Sequence, residues 1–216
     1  MYSLEVISDV ICPWCYIGKN RLEKAIEIMG DVYPIEVVWR PFELNPALPP
    51  QGINRAEYLA QKFGSAQQAL SIYSRIESEA RSEGLPIDFE SITTTPNTRL
   101  AHKLIHYSGQ HGKQNDVIDL LFSGYFCAGK DIGKLDVLLE IAMVCGLSSE
   151  GTQTVLGSEL ANQTIKQQEN TALEMGVSGV PGFVYNGQLL FCGAQSPETI
   201  ALSLERAIKN NIQETV

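Results

Sequence analysis

The sequence has few basic residues and no long apolar run. Lys and Arg number 16 against 25 Asp and Glu, so the formal net charge is -9 and the isoelectric point lies near 4.8. A nucleic-acid backbone or an anionic membrane surface requires clustered cations, which excludes both as the main partner. No stretch approaches about 18 uncharged apolar residues, and the first ten residues lack the basic patch and apolar run of a secretory signal. We therefore expect a cytoplasmic protein.

Cysteine and histidine are scarce as well. The chain has five cysteines, an odd number, and three histidines, which does not resemble the disulfide framework of a small secreted domain. Structural zinc takes four ligands, yet the chain has one C-x-x-C pair and no second such pair or H-x-x-x-H. We predict reduced thiols and no metal site. Cys127, Cys145 and Cys192 lie in apolar runs, where a free cysteine packs as a small hydrophobe.

The first forty residues predict a βαβ unit. Residues 4–11 and 35–40 are apolar runs of strand length, and residues 21–30 carry apolar side chains at helical spacing. Such a unit is right-handed, with its two strands parallel. A segment with four prolines, residues 40–52, follows and excludes a regular helix or a central strand. It indicates a link into another domain.

The rest of the chain predicts a helical module followed by a second piece of sheet. Apolar residues recur at helical spacing over 55–63, 66–83, 98–111, 115–126, 135–145 and 159–174. Asn186-Gly187, between two apolar runs, is a strong signal for a two-residue β-hairpin, and Ser196-Pro197 opens a last helix. The element order predicts an α/β fold in which a small mixed sheet, βαβ plus αββα, is interrupted by an all-α domain. The predicted boundaries are 1–45, 46–157 and 158–216, the first and last pieces forming one domain.

The sequence CPWC stands where the first strand meets the first helix. A thiol at the start of a helix faces unpaired backbone N–H groups and the positive end of the helix dipole, which favour the thiolate. Cys12 is therefore the predicted nucleophile, and Cys15, one turn later, the thiol that resolves a mixed disulfide. Pro13 suits the first helical position, and Trp14 offers a flat apolar surface to a substrate. The alternatives are half of a zinc site or two packed thiols.

Asp9 precedes Cys12 by three residues. Its carboxylate could assist proton transfer at Cys15, or disfavour the Cys12 thiolate by like-charge repulsion. The alternative is a solvated carboxylate at the end of a strand. Neither interpretation is excluded by the sequence.

The CPWCYIG segment, the helical insert and the GVSGVPGFVYNG segment before the last helix together resemble the DsbA family. More narrowly they resemble its FrnE-like branch, which is related to 2-hydroxychromene-2-carboxylate isomerase and to kappa-class glutathione transferase. The resemblance covers essentially the whole chain and implies a thioredoxin-like fold with an inserted α-helical domain. It also implies that the bond between Val180 and Pro181 is cis and lies against the CxxC, where the Val180 backbone pairs with an extended substrate. The frequency of cis X-Pro bonds alone, about 5%, would favour trans.

The resemblance extends to residues 95–102 in the helical module. It implies that Asn97 contacts substrate or glutathione, with His102 one turn later. The simpler alternative, which we favour, is that Asn97 or Thr98 caps a helix and His102 packs in the domain interface.

These observations predict a thiol–disulfide oxidoreductase of the reductase or isomerase type. It would act on protein or small-molecule disulfides through a mixed disulfide at Cys12, as a monomer or homodimer. No cofactor is required beyond the Cys12–Cys15 disulfide itself, and glutathione is a candidate co-substrate. A cytosol held near about -220 to -320 mV favours reduction or isomerisation over net oxidation.

Two alternatives remain open. One is a glutathione-dependent small-molecule isomerase or transferase, although those relatives usually carry Ser in place of the first Cys. The other is a binding module or chaperone without a redox role.

Overall fold

The structure is a computed structural model that describes residues 1–214. The chain forms two compact units. One, the sheet unit, consists of Met1–Phe42 and the chain from Gln168 onward; the other, the helical unit, is Glu43–Gln167. The boundaries between the two units thus fall after residues 42 and 167. The sequence predicted domain boundaries after residues 45 and 157. The assignment of these segments as a thioredoxin-like domain and an inserted α-helical domain, with those boundaries, stays a prediction.

The sheet unit carries four strands and two of its own helices. Its elements are β1 (Tyr2–Ser8), α1 (Pro13–Met29), β2 (Ile35–Pro41), β5 (Gly182–Tyr185), β6 (Gln188–Cys192) and α9 (Pro197–Glu214). A single 3-10 turn, Gly30–Val32, follows α1. A further helix, α8 (Glu159–Glu174), begins in the helical unit and ends in the sheet unit.

The four strands form one mixed sheet in the order β2-β1-β5-β6. β1 pairs in parallel with β2, from Tyr2 opposite Ile35 to Ser8 opposite Pro41. β5 runs antiparallel to β1, and β6 antiparallel to β5. The parallel pair with its crossover helix and the antiparallel hairpin are the βαβ and αββα pieces expected from the sequence. The predicted thioredoxin-like fold class with a helical insertion is confirmed.

Local signals explain where the key elements begin and end. Pro13 occupies the first turn of α1, and Gly30 ends the helix with φ +62°. Asn186 and Gly187 both have positive φ, 50° and 72°, as a two-residue hairpin turn requires. The hydroxyl of Ser196 accepts a hydrogen bond from the Thr199 N–H at 3.3 Å and so caps α9.

The helical unit contains six helices within its described residues, besides the start of α8. They are α2 (Arg55–Phe63), α3 (Ala66–Ser82), α4 (Arg99–Gly109), α5 (Gln114–Ala128), α6 (Leu135–Val144) and α7 (Ser149–Gly157). Their core includes fully buried Leu104, Phe122, Tyr125 and Phe126. Three elements of this unit were not expected from the sequence. They are α7 and the two-residue strands β3 (Ile53–Asn54) and β4 (Thr94–Thr95), which pair with each other. None of the helices described is long and apolar enough to cross a membrane.

Candidate active site

A tight turn carries the chain from β1 into α1. The Cys12 N–H donates to the Asp9 carbonyl at 3.0 Å, and the Cys12 carbonyl accepts from the N–H groups of Cys15 and Tyr16 at 3.0 and 3.3 Å. Cys12 is the N-cap residue of α1 with extended backbone, φ -87° and ψ 114°. Its sulfur therefore lies at the positive end of a 17-residue helix.

The two thiols differ in exposure and in their contacts. Both cysteines are free; Cys12 is 5% exposed and Cys15 has no exposed surface. The Cys12 Sγ donates a hydrogen bond to the Val180 carbonyl oxygen at 3.7 Å. The Val180–Pro181 bond is cis, as the resemblance implies. The outer thiol, Cys12, thus has the Val180 backbone carbonyl as its neighbour. The inner thiol, Cys15, is fully enclosed.

Burial raises the pKa of the Cys15 thiol well above its ordinary value. The hydrogen bond that the Cys15 thiol donates to Cys12 and the negative charge of a Cys12 thiolate raise the pKa of Cys15 further. The Ser8 hydroxyl and the Asp9 backbone oppose this by favouring the Cys15 thiolate. The inner thiol is therefore protonated at neutral pH, and its reaction requires that a proton be removed.

Asp9 and Ser8 lie beneath the thiols, and both side chains are buried. Asp9 has no exposed surface, and its Oδ1 accepts from the Ile11 N–H at 3.4 Å. Ser8 is 3% exposed. The burial of Asp9 removes the alternative of a solvated carboxylate at the end of a strand. The Asp9 backbone, rather than its carboxylate, is the part of the residue that contacts the Cys15 thiol.

Gly18 lets the Pro181 segment approach α1. A Cβ at Gly18 would lie 2.8 Å from the Pro181 Cγ and 3.6 Å from the Ala194 Cβ. The Arg21 Nη1 donates to the Ala194 carbonyl at 2.7 Å, and the Gly193 N–H donates to the Pro181 carbonyl at 2.7 Å. Two loops of the sheet unit are thereby held against the helix that carries Cys12.

The remaining predicted residues fall into two groups. Pro13 and Trp14 are half-buried beside the thiols, in the first turn of α1. Asn97 and His102 belong to the helical unit. The Asn97 Oδ1 accepts from the Arg99 N–H at 3.0 Å and its Nδ2 donates to the Leu48 carbonyl at 2.8 Å, while His102 is 2% exposed on α4. Both ends of the Asn97 amide serve the helix start and a neighbouring loop, which favours the simpler alternative.

The three other cysteines lie apart from the C-x-x-C turn in the sequence, and each is at least half-buried. Cys145 is buried, Cys127 is half-buried, and Cys192 packs against a small core of Ile7, Val177 and Val184. Across residues 1–214, no group of three or more His, Cys, Asp or Glu side chains is arranged to hold a metal ion.

Sequence reasoning missed Ser8, Gly18 and Arg21. For Ser8 the available signal was a polar residue at the end of an apolar strand. For Gly18 it was a glycine inside a helix, a position where glycine is about 1 kcal/mol worse than alanine and therefore needs a packing reason. Arg21 gave no signal, because its partner is a backbone carbonyl 173 residues away.

Residues 3–205 match the family model of the DSBA-like thioredoxin domain. The chain belongs to this family. The resemblance to DsbA-family proteins noted from the motifs is confirmed.

Three relatives of this DSBA-like chain are informative. A probable DsbA oxidoreductase from Streptomyces coelicolor is 29% identical, with a TM-score of 0.88 over 97% of this chain and 91% of that one. An uncharacterized Bacillus subtilis protein, YwbO, is 26% identical over 96% of both chains. The cytosolic disulfide reductase DsbM from Pseudomonas aeruginosa, also solved with glutathione, shares the fold at 16% identity, with a TM-score of 0.69 over 96% and 98% of the two chains.

Proposed function

We propose that the protein is a thiol–disulfide oxidoreductase of the reductase or isomerase type, with Cys12 as nucleophile and Cys15 as resolving thiol. One observation carries the proposal: Cys12 Sγ lies at the start of α1 and 3.7 Å from the Val180 carbonyl, with the buried Cys15 one turn behind it. A nucleophilic sulfur at a helix start and an enclosed partner thiol are the two groups that disulfide exchange needs.

The first step forms a mixed disulfide. The Cys12 thiolate attacks one sulfur of a substrate disulfide, the substrate S–S bond breaks, and the first substrate thiolate leaves. The N-terminus of α1 stabilises the attacking thiolate. The Val180 carbonyl, next to the sulfur, is placed to accept a backbone N–H from an extended substrate, and the half-buried Trp14 offers it an apolar surface.

The second step releases the reduced substrate. Cys15 loses its proton and attacks Cys12 Sγ, the mixed disulfide breaks, and the second substrate thiolate departs as the Cys12–Cys15 disulfide forms. Because the pKa of Cys15 is raised by burial, this step needs a base. Asp9 is the candidate base, since it carries a buried carboxyl group in the turn that leads into Cys12.

We further propose that glutathione restores the dithiol in a cytoplasmic setting. Two glutathione molecules would reduce the Cys12–Cys15 disulfide and leave as glutathione disulfide, so the electrons balance. This part of the proposal is supported by the glutathione complex of the disulfide reductase DsbM, which shares the fold.

The test is the equilibrium between disulfide and dithiol in glutathione buffers, read by thiol trapping and mass spectrometry. We expect a reversible two-electron couple in the unchanged protein. Cys15→Ser should accumulate a Cys12–glutathione mixed disulfide, and Cys12→Ser should form none. Cys145→Ser, which removes a buried thiol outside the C-x-x-C turn, is the matched control and should behave like the unchanged protein.

The same series separates the alternatives. Asp9→Asn should slow resolution of the mixed disulfide by about 100-fold, the lower end of general-base effects, without slowing alkylation of Cys12. A glutathione-dependent isomerase or transferase would keep its activity in Cys15→Ser. The absence of any Cys12–Cys15 couple would refute the oxidoreductase, as would a Cys12 that alkylates at pH 6 no faster than a free thiol.

A further inference from the structure

Arg55 is a buried cation in the helical unit, whereas Cys12 and Cys15 belong to the sheet unit. It stands at the first position of α2 and is 8% exposed. Its Nη1 donates to the Thr95 Oγ1 at 3.3 Å and to the Tyr125 hydroxyl at 3.5 Å, so both acceptors are neutral. Burying a charge without a counter-ion is costly, and buried arginines are normally paired.

Two aromatic rings flank the guanidinium. The Arg55 Cζ lies 5.0 Å from the centre of the Tyr73 ring and 5.6 Å from that of Tyr58. Burial raises the pKa of Tyr73, so its phenol remains neutral at pH 7 and cannot serve as the counter-ion. These contacts orient the guanidinium and leave its positive charge unneutralised.

A second cation joins the cluster. The Lys62 Nζ donates to the Tyr58 hydroxyl at 2.7 Å and lies 5.1 Å from the centre of that ring. Within residues 1–214, neither Lys62 nor Arg55 forms an ion pair with a carboxylate, although the chain has an excess of acidic residues. Two cations share one tyrosine in a protein of net charge -9, with no anion of the described chain against them.

We propose that Arg55 and Lys62 form a binding site for an oxyanion, either a carboxylate or a phosphate group of a ligand. Nη1 of Arg55 is occupied by two hydroxyls, and a further hydrogen bond joins Arg55 to Tyr73. All of these partners are neutral, and the remaining guanidinium N–H groups can donate to an oxygen of a carboxylate or phosphate. Lys62 supplies a second charge from the exposed surface of α2. Tyr58 and Tyr73 hold the guanidinium plane, as stacked arginines are held in oxyanion sites. The site is independent of the function proposed for the two thiols.

The test uses the full chain and two probes, inorganic phosphate and glutarate, each titrated against chloride at constant ionic strength. We expect one of them to raise the Tm saturably, by roughly 3–6 °C at ten times its Kd. Phosphate alone would identify a phosphate ligand, and glutarate alone a carboxylate ligand. A Tm that stays unchanged when phosphate or glutarate replaces chloride at constant ionic strength would overturn the proposal.

Variants locate the site. Arg55→Lys and Lys62→Gln should each raise the apparent Kd for the anion, taken from the titration of Tm, at least 10-fold. Arg81→Gln, on the exposed face of α3 where Arg81 pairs with Glu77 at 3.0 Å, should leave it unchanged. If Lys62→Gln and Arg81→Gln have the same effect, the anion binds elsewhere and the proposal fails.

Chemical labelling keeps the test valid should Arg55→Lys not fold. Phenylglyoxal modifies arginine, and mass spectrometry of the unchanged protein reads each site separately. The bound anion should slow modification of Arg55 several-fold and leave that of Arg81 unchanged. Equal rates at Arg55 with and without the anion would mean that the guanidinium is only structural.

Discussion

At the scale of single residues, the candidate active site is a pair of thiols in unlike surroundings. Cys12 is at the helix start beside a backbone carbonyl, whereas Cys15 is enclosed and contacts Ser8 and Asp9. The difference follows from one turn of helix, which places the second thiol beneath the first. In the proposed mechanism, the outer thiol at the helix start attacks the substrate, and the inner thiol, whose ionisation is disfavoured by burial, resolves the mixed disulfide.

The raised pKa of Cys15 predicts how the stability of the reduced protein depends on pH. The unfolded thiol ionises near about pH 8.5, while the folded one keeps its proton to higher pH. Between these two values the folded state binds more protons than the unfolded state, so the free energy of unfolding falls as pH rises, by at most about 1.4 kcal/mol per pH unit. Below about pH 8 this contribution is fully present and constant.

Urea unfolding of the reduced protein between pH 7 and pH 10 measures this effect. Other groups titrate in the same range, so the quantity to follow is the difference in unfolding free energy between the unchanged protein and Cys15→Ser. We expect that difference to be flat up to about pH 8 and then to shift against the unchanged protein. A difference that stays flat to pH 10 would mean that the pKa of Cys15 is not raised in the folded protein.

At the scale of elements, the position of the Pro181 loop on α1 depends on Gly18. Gly18→Ala would place a Cβ 2.8 Å from the Pro181 Cγ, so the loop must move away from the helix. We expect a loss of about 1–3 kcal/mol of stability from overpacking, despite the better helix propensity of alanine. Because Val180 precedes Pro181, we also expect slower formation of the mixed disulfide at Cys12, measured by stopped-flow reaction with glutathione disulfide.

Gly157→Ala is the matched control for Gly18→Ala. Gly157 ends α7, and a Cβ there would meet nothing within 4 Å. Its replacement should be neutral or slightly stabilising and should leave the rate at Cys12 unchanged. If Gly18→Ala lost stability while retaining the rate, the glycine would serve packing alone.

The elements that the sequence predicted well are those with strong local signals. Helices α2 and α8 and the Asn186-Gly187 hairpin lie at the predicted residues, since periodicity, caps and turn chemistry are all local. Helix α7 escaped prediction because its sequence, SEGTQTVLG, has two glycines, two threonines and little apolar periodicity. The pairing of β3 with β4 joins residues some forty positions apart over two residues, which leaves no local pattern.

The residues of the candidate site also fall into those that local sequence signals reveal and those that they do not. Cys12 and Cys15 were recognisable from their spacing and their place between strand and helix. The roles of Ser8 and Gly18 depend on how close another group comes in three dimensions, which composition and spacing do not encode. The buried state of Asp9 depends likewise on what the fold places around it.

At the scale of the whole molecule, helix α8 is continuous across the boundary between the two units. Its residues up to Gln167 belong to the helical unit, and those from Gln168 to the sheet unit. Its buried residues lie on both sides of that boundary, with Ile165 in one unit and Ala172 in the other. A helix whose two halves belong to different cores links their unfolding, because the hydrogen bonds that cross the boundary break when either half unfolds.

The chain offers a direct way to measure this link. Both of its tryptophans, Trp14 and Trp39, lie in the sheet unit, so tryptophan fluorescence follows that unit, whereas circular dichroism at 222 nm is weighted toward the helical unit. We expect coincident urea transitions by the two probes. Asn170→Pro removes the helical hydrogen bond that spans residues 167 and 168, at a cost of about 3 kcal/mol, and should separate the transitions. Asn170→Ala, at the same exposed position, should keep them together; separate transitions in the unchanged protein would mean that α8 does not couple the two units.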